Sequence, residues 1–157
     1  MNNLYVTKAE GIYDRLDEIL IKLTGGSHEI LRTENGKPYI RGNPLFFSLS
    51  HSGKHGMITV CDRPVGVDLE IYKNKDRLLL IAQFPQEEQS EILTEKDFLI
   101  HWTVREAFVK MRGSTLAKDL KSTAYYGGNL YFNGILQNVE IQTHFFDYGV
   151  VTVCIEK

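Results

Sequence analysis

The sequence predicts an α+β fold in two similar halves, each a helix with a small, mainly antiparallel sheet. Three observations carry this. Helical periodicity occurs twice, over 12–23 and over 94–113. Each helical stretch is followed by several short apolar runs with turn signals between them. The chain has 157 residues, 43% of them apolar and 24% charged, which fits one compact domain. The halves run over about 1–61 and 62–157 and meet near 61–66. No strong internal repeat, low-complexity run or long linker is present.

Each element has a local cause. Ile12, Leu16, Ile19, Leu20 and Leu23 recur at helical spacing, and Gly25-Gly26 ends the pattern. In HEILRTENGKPYI, Ile30 opens an apolar run, Asn35-Gly36 signals a turn and Tyr39-Ile40 resumes, which predicts a hairpin. Two apolar stretches, 45–51 and 56–61, flank Ser52-Gly53-Lys54. After the turn Asp62-Arg63-Pro64, Val65, Val67, Leu69 and Ile71 alternate with Gly66, Asp68 and Glu70, the pattern of a strand. A charged, irregular stretch covers 73–77. The stretch 78–84 reads as helical until Pro85 interrupts it. Thr94 is the expected N-cap of the longest helix, with Asp97 in its first turn. Leu93 and Phe98 are spaced as a hydrophobic staple, and Gly113 is the expected stop. The remainder reads as a meander, with Gly127-Gly128, Asn133-Gly134 and Asp147-Tyr148-Gly149 separating NLYF, VEIQTHFF and VVTVCI.

Composition narrows the function classes. A net charge of −2 gives no global attraction to nucleic acid or membrane. The longest apolar run, 78–82, is too short to span a bilayer. The start MNNLYVTKAE has no basic region followed by an apolar stretch, so no signal peptide is expected and the location expected is cytoplasmic. Cys61 and Cys154 sit in apolar contexts far apart in sequence, as two buried thiols would. No Cys/His spacing points to zinc.

Three segments carry chemistry. Asp68 and Glu70 share one face of their strand, where two like charges repel. Water on that face, basic neighbours or a bridging hard cation would each relieve the repulsion, and spacing alone does not choose among them. In the long helix Ile100, Val104, Ala107, Phe108 and Met111 form a core stripe. Leu99, Trp102, Glu106 and Lys110 form a second stripe. There Glu106 and Lys110 read either as a surface i, i+4 pair or as a catalytic pair. In FFSLSHSGKHG, Ser48, Ser50 and Ser52 alternate with Leu49 and His51. These hydroxyls, with Gly53, suit phosphate oxygens or a polar strand edge equally. No Gly-x-Ser-x-Gly elbow surrounds them, and His28, His55, His101 and His144 carry no motif.

The order of the segments is more specific than any one of them. GKP at 36–38, SLSHSG at 48–53, VGVDLE at 65–70 and WTVREAFVK at 102–110 follow the order of motifs in the 4′-phosphopantetheinyl transferase superfamily. The chain resembles the Sfp-type branch of that superfamily in particular. The resemblance covers about half the chain, residues 36–110. It implies a pseudo-dimer of two α+β halves with coenzyme A in the cleft between them. It also implies transfer of the phosphopantetheine arm of coenzyme A to a serine of an apo acyl or peptidyl carrier protein, releasing 3′,5′-ADP. By that resemblance Asp68, Glu70 and Glu106 are expected to hold Mg²⁺. Glu106, or a metal-bound water, is the expected base, and Lys110 is expected beside the transferred phosphate. Ser50 and His51 match the pair on the coenzyme A phosphates, and Lys37 and Pro38 match the segment near its adenine end.

The chain departs from the family at several points. Arg105 stands where the family usually has lysine; it keeps the charge and is expected on the coenzyme A side with a different reach. Ser48 replaces a common asparagine, so a hydrogen bond is expected to be lost there. The N-terminal half is short, and the basic residues that usually meet the 3′-phosphate have no match; Lys8, Lys22 and Arg32 are the candidates to replace them. The chain is longer than members of the single-half, trimeric branch, so a monomer is expected. Lys73, Lys75 and Arg77, after the acidic strand, read either as a solvated loop or as a contact for an acidic carrier protein. Two other readings remain at this level: a relative that binds coenzyme A or a carrier without transfer, and an unrelated Mg²⁺-dependent phosphoryl-transfer enzyme. The second does not account for SLSHSG and GKP in order.

Overall fold

A computed structural model describes residues 2–42 and 45–157. Positions 1, 43 and 44 of the N-terminal half lie outside the described residues. The chain opens with β1 (Asn2–Lys8), α1 (Ile12–Thr24) and the hairpin of β2 (Ile30–Arg32) and β3 (Pro38–Ile40). Strands β4 (Phe46–Ser52), β5 (His55–Cys61) and β6 (Val65–Ile71) follow. Two short helices, α2 (Leu78–Ile81) and α3 (Gln86–Gln89), lead to α4 (Glu95–Met111). After α5 (Leu116–Asp119) and a 3₁₀ turn come β7 (Thr123–Tyr126), β8 (Asn129–Phe132) and β9 (Ile135–Leu136). The chain closes with β10 (Val139–Phe146) and β11 (Gly149–Glu156).

The architecture is α+β with antiparallel pairing throughout. One sheet has the order β1-β5-β4 and the other β6-β11-β10. Both are built alike: a first strand, a long helix, a small sheet, then two strands of which the last lies in the centre. Alternation along each strand explains the layers. Ile58 and Val60 of β5 pack with Ile12, Leu16, Ile19 and Leu20 of α1. Their neighbours Met57 and Cys61 face Val65, Val67, Leu69, Val151, Val153 and Ile155 of the other sheet. Cys154 on the far face of that sheet packs with Val104, Ala107, Phe108 and Met111 of α4. The two sheets therefore share a core, with a helix on each outer side.

Helix α4 begins where the sequence places it. The Thr94 hydroxyl accepts from the Asp97 N–H at 3.1 Å, and the Asp97 carboxylate accepts from the Thr94 N–H at 2.8 Å. This capping box satisfies two donors that the helix leaves free. The expected staple does not form: Phe98 is buried, but Leu93 is 85% exposed, and its neighbour Ile92 packs against the cluster around Phe98 instead. The helix expected over 78–84 is a single turn, α2. The turn signals hold. Asn133 and Gly134 both have positive φ, 51° and 75°, in the two-residue link from β8 to β9.

One edge of β6 is free of a strand partner, and side chains occupy it. The N–H groups of Val67, Leu69 and Ile71 donate to the hydroxyls of Ser48, Ser50 and Ser52 at 3.0, 3.0 and 3.3 Å. The carbonyls of Val65 and Val67 accept from Lys37 Nζ and Lys110 Nζ at 3.3 and 3.1 Å. Buried backbone polar groups need partners, and here they join the two halves. The alternation of serines in SLSHS is thus a polar seam between β4 and β6. Ser48 itself accepts a hydrogen bond here, from the backbone of β6.

Candidate functional site: an acidic cluster beside a basic cleft

The site starts from β6. Asp68 and Glu70 point away from the inter-sheet core toward α4, which brings Glu106 and Lys110 over them. One carboxylate oxygen from each of Asp68, Glu70 and Glu106 lies within 4.8 Å of the others. Close approach of α4 depends on Gly66: a Cβ there would fall 1.9 Å from the Ala107 carbonyl oxygen and 2.5 Å from Met111 N. Ala107 and Met111 directly follow Glu106 and Lys110 in the chain. Sequence reasoning found the acids and left Gly66 without a role.

Asp68 is nearly buried, and its oxygens are treated unequally. Oδ1 accepts from Lys110 Nζ at 2.6 Å and from the Ser50 hydroxyl at 3.0 Å. Oδ2 is buried with no hydrogen-bond partner. Glu70 accepts from the Ser52 hydroxyl at 3.4 Å and faces Lys73 Nζ at 3.6 Å. Glu106 Oε2 is 4.0 Å from Lys110 Nζ. Burial, and then the negative charges of Asp68 and Glu70, push the Glu106 carboxyl up to about 8, with Lys110 pulling the other way. Three carboxylates face two ammoniums, Lys110 and the more exposed Lys73, and one buried oxygen is orphaned. A hard divalent cation fits this donor set: it supplies the missing charge and a partner for Asp68 Oδ2.

Lys110 also sits at one end of a cleft of about 230 Å³, lined by Tyr13, Lys37, Pro38, Ser48 and Leu49 among others. The cleft lies between α1, the β2–β3 hairpin, β4 and the end of α4. Among the described residues none that lines it is acidic. Lys37 is held in its wall by the carbonyls of Val65 and Met111, at 3.3 and 3.1 Å. Met111 ends α4, so the ammonium also meets the negative end of the helix dipole. Burial pushes Lys37 down to about 8. Lys37 and Lys110 thus lie two residues apart along the β6 edge, both facing the cleft.

Not every expected residue reaches this place. Ser50 does, but its hydroxyl serves Asp68, Lys110 and the Leu69 N–H. His51 is exposed and, by strand alternation, lies on the face of β4 opposite Ser50. Arg105 is the clearest correction: it is 1% exposed and turned away from the acids. Its guanidinium grips Glu88 through Nε at 2.8 Å and through a second nitrogen. It also donates to the Leu120 carbonyl at 2.8 Å and lies 4.0 Å from the centre of the Phe84 ring. Helical geometry explains this: Arg105 is one residue from Glu106 and therefore about 100° around the helix. Burial raises the Glu88 carboxyl, but hydrogen bonds from His101 and Arg105, the Arg105 charge and the Tyr125 N–H outweigh it and hold it low. Nothing in QEEQS marked Glu88 as a buried partner. The carboxylate lies 17 residues from Arg105 in sequence.

This geometry is met by the comparisons with known proteins. Residues 64–134, which carry Asp68, Glu70, Glu106 and Lys110, match the model of the 4′-phosphopantetheinyl transferase superfamily, the family that the ordered motifs resemble. The chain is 37% identical over 101 residues to 4′-phosphopantetheinyl transferase psf-1 of Bacillus pumilus, covering 59% of this chain and 43% of that protein. It is 35% identical over 98 residues to 4′-phosphopantetheinyl transferase Sfp of Bacillus subtilis strain 168, covering 57% and 43%. With 4′-phosphopantetheinyl transferase AcpT of Salmonella typhi the identity is 37% over 97 residues, covering 55% and 50%. The match thus spans about half the length of these curated relatives. Among the described residues no helix is long and apolar enough to cross a membrane.

Proposed function

We propose that this chain moves the 4′-phosphopantetheine arm of coenzyme A onto a serine of an apo acyl or peptidyl carrier protein, with Mg²⁺ at Asp68, Glu70 and Glu106. The observation that carries this is the junction of two features: three converging carboxylates with an orphaned buried oxygen, and a non-acidic, lysine-lined cleft that meets them at Lys110. An anionic pyrophosphate with a nucleotide behind it suits that junction. The two sheets of like topology support a pseudo-dimer with halves of about 1–61 and 62–157. A chain that carries both halves is expected to act as a monomer; sedimentation at the mass of three subunits would contradict this.

The step balances simply. The carrier serine oxygen forms a bond to the β-phosphorus, the bond from that phosphorus to the bridging oxygen breaks, and 3′,5′-ADP leaves with that oxygen. Mg²⁺, when bound, supplies positive charge to the pyrophosphate and to the charge that develops on it. Glu106, or a water held by the cation, would take the serine proton. Lys110 offsets charge on the departing phosphate. Ser50 keeps Asp68 and Lys110 in place. Lys37 and Pro38 line the way out toward the adenine end. His51 is left to any part of coenzyme A that passes outside the cleft, and Arg105 takes no part.

The test is to incubate the protein with coenzyme A, Mg²⁺ and apo carrier proteins and weigh the carriers. A gain of one phosphopantetheine arm is expected, and Asp68→Ala is expected to abolish it. Tight coenzyme A binding with no gain across several carriers would overturn transfer in favour of a binding-only relative. Full activity of Asp68→Ala would overturn the metal assignment.

A further inference from the structure

Helix α4 runs along β11 in matched steps. Four residues of an α-helix rise about 6 Å and two residues of an antiparallel strand about 6.7 Å, so the two keep pace. Leu99 lies with Val150 in one apolar cluster, and Ala107 with Cys154 in another. At the step between them stand Thr103 and Thr152, both fully buried. Their hydroxyl oxygens are 2.8 Å apart. Thr103 donates its one proton to the Ile100 carbonyl at 3.2 Å, so it accepts from Thr152. Thr152 in turn lies 3.3 Å from the Thr143 hydroxyl, which leaves Thr143 as the donor there. These hydroxyls make no bond to the three acids, yet they adjoin them. Thr152 is the cross-strand partner of Asp68 and shares its face of the sheet. Thr103 is one helical turn before Glu106.

We propose that the buried Thr103–Thr152 hydrogen bond is the pin that fixes α4 lengthwise on the sheet, and that both threonines are therefore positioning residues for a cation held by Asp68, Glu70 and Glu106. The inference rests on the metal reading of the proposed transferase. Gly66 sets how close the helix comes. Apolar contact is non-directional, so the rest of the row tolerates small slides along the strand. A hydrogen bond does not: a hydroxyl pair that slides apart inside the core has no water to replace its partner. A single buried polar position in an apolar row fixes the register of coiled coils in the same way, at some loss of stability. Here the polar step adjoins Asp68 and Glu106, so a lengthwise error at the pin passes to the gap between those carboxylates. A small hard cation tolerates little of it.

Calorimetric titration of Mg²⁺ into the protein, beside thermal unfolding without Mg²⁺, tests this with no carrier protein present. Thr152→Val keeps the shape of the side chain and removes its hydroxyl. It is expected to weaken Mg²⁺ binding about tenfold, as loss of the support behind a metal ligand does. Its melting temperature is expected to move by less than about 5 °C. Thr152→Ser keeps the hydroxyl and is expected to keep the wild-type affinity. The double variant Thr103→Val with Thr152→Val removes both partners of the bond. It is expected to melt like the wild type and still bind Mg²⁺ as weakly as Thr152→Val. Wild-type affinity in Thr152→Val or in the double variant would overturn the pin. So would a loss in Thr152→Ser as large as that in Thr152→Val, or a Thr152→Val variant with no melting transition, which would make the role structural. In each of those cases the wild type binds Mg²⁺ and the metal assignment stands. A wild type that binds no Mg²⁺ overturns the metal assignment, and the pin with it.

Discussion

Gly66→Ala is the sharpest test of how the fold builds the acidic cluster. The added methyl would lie 1.9 Å from the Ala107 oxygen and 2.5 Å from Met111 N, whereas real Cβ contacts stay above 3.0 Å. Both atoms are helix backbone and have no flexible end to swing aside. The helix and β6 must therefore separate by roughly 1 Å. Overpacking of this kind costs about 1–3 kcal/mol, which lowers the melting temperature by about 2–12 °C in a chain of this size. The same displacement carries Glu106 away from Asp68 and Glu70, and Mg²⁺ tolerates little error in its oxygen cage. Thermal unfolding with and without Mg²⁺ reads both effects. The variant is expected to melt lower and to lose most of the Mg²⁺-dependent stabilisation. Gly26→Ala, where the methyl meets nothing within 4 Å, is the control and is expected to change little. If Gly66→Ala melted with the wild type and kept its Mg²⁺ response, the close packing of α4 on β6 could not be what sets the site.

Four further outcomes follow from the same contacts. Mg²⁺ at about a hundred times its dissociation constant is expected to stabilise the protein by about 2.7 kcal/mol, and Glu106→Gln or Asp68→Asn to remove most of that in the same melts. Glu88→Gln leaves Arg105 buried without its countercharge and is expected to cost about 3–5 kcal/mol in urea unfolding. The double variant Glu88→Leu with Arg105→Met is expected to recover much of that and to bind coenzyme A normally; loss of coenzyme A binding in a folded double variant would return Arg105 to the site. Lys37 has a folded pKa near 8 against an ordinary 10.5, so the unfolded chain holds the extra proton between them. Stability is therefore expected to rise with pH across that window, by up to about 3 kcal/mol, and Lys37→Met to flatten the rise. Thr94→Ala removes one side of the capping box and is expected to cost about 1 kcal/mol without altering Mg²⁺ binding, as measured by urea unfolding.

The parts of the fold legible in sequence are those fixed by near neighbours. The spacing of Ile12, Leu16, Ile19 and Leu20 marks α1, and Thr94 with Asp97 marks the start of α4, because those signals lie within one or two turns. Asn133-Gly134 marks a turn because few other pairs accept its backbone angles. The shared face of Asp68 and Glu70 follows from the two-residue period of a strand. Leu93 shows the limit of such signals: its spacing suits a staple, but Ile92 packs against the cluster around Phe98 and Leu93 stays at the surface.

By itself, the sequence determined the α+β class, the two long helices and the ordered set of acids, serines and lysines. Tertiary structure alone decided which of these meet. Strand β1 exists because β5 pairs with it along its whole length, and its own residues carry no clear alternation. The serines of SLSHS became a seam because β6 presents an unpaired edge to β4. Arg105, adjacent to Glu106 in sequence, went to a buried carboxylate on the far side of the helix, and Arg32 reached the cleft mouth through Tyr13 of another element. Periodicity reports which face of an element is buried; it carries no record of what that face is buried against.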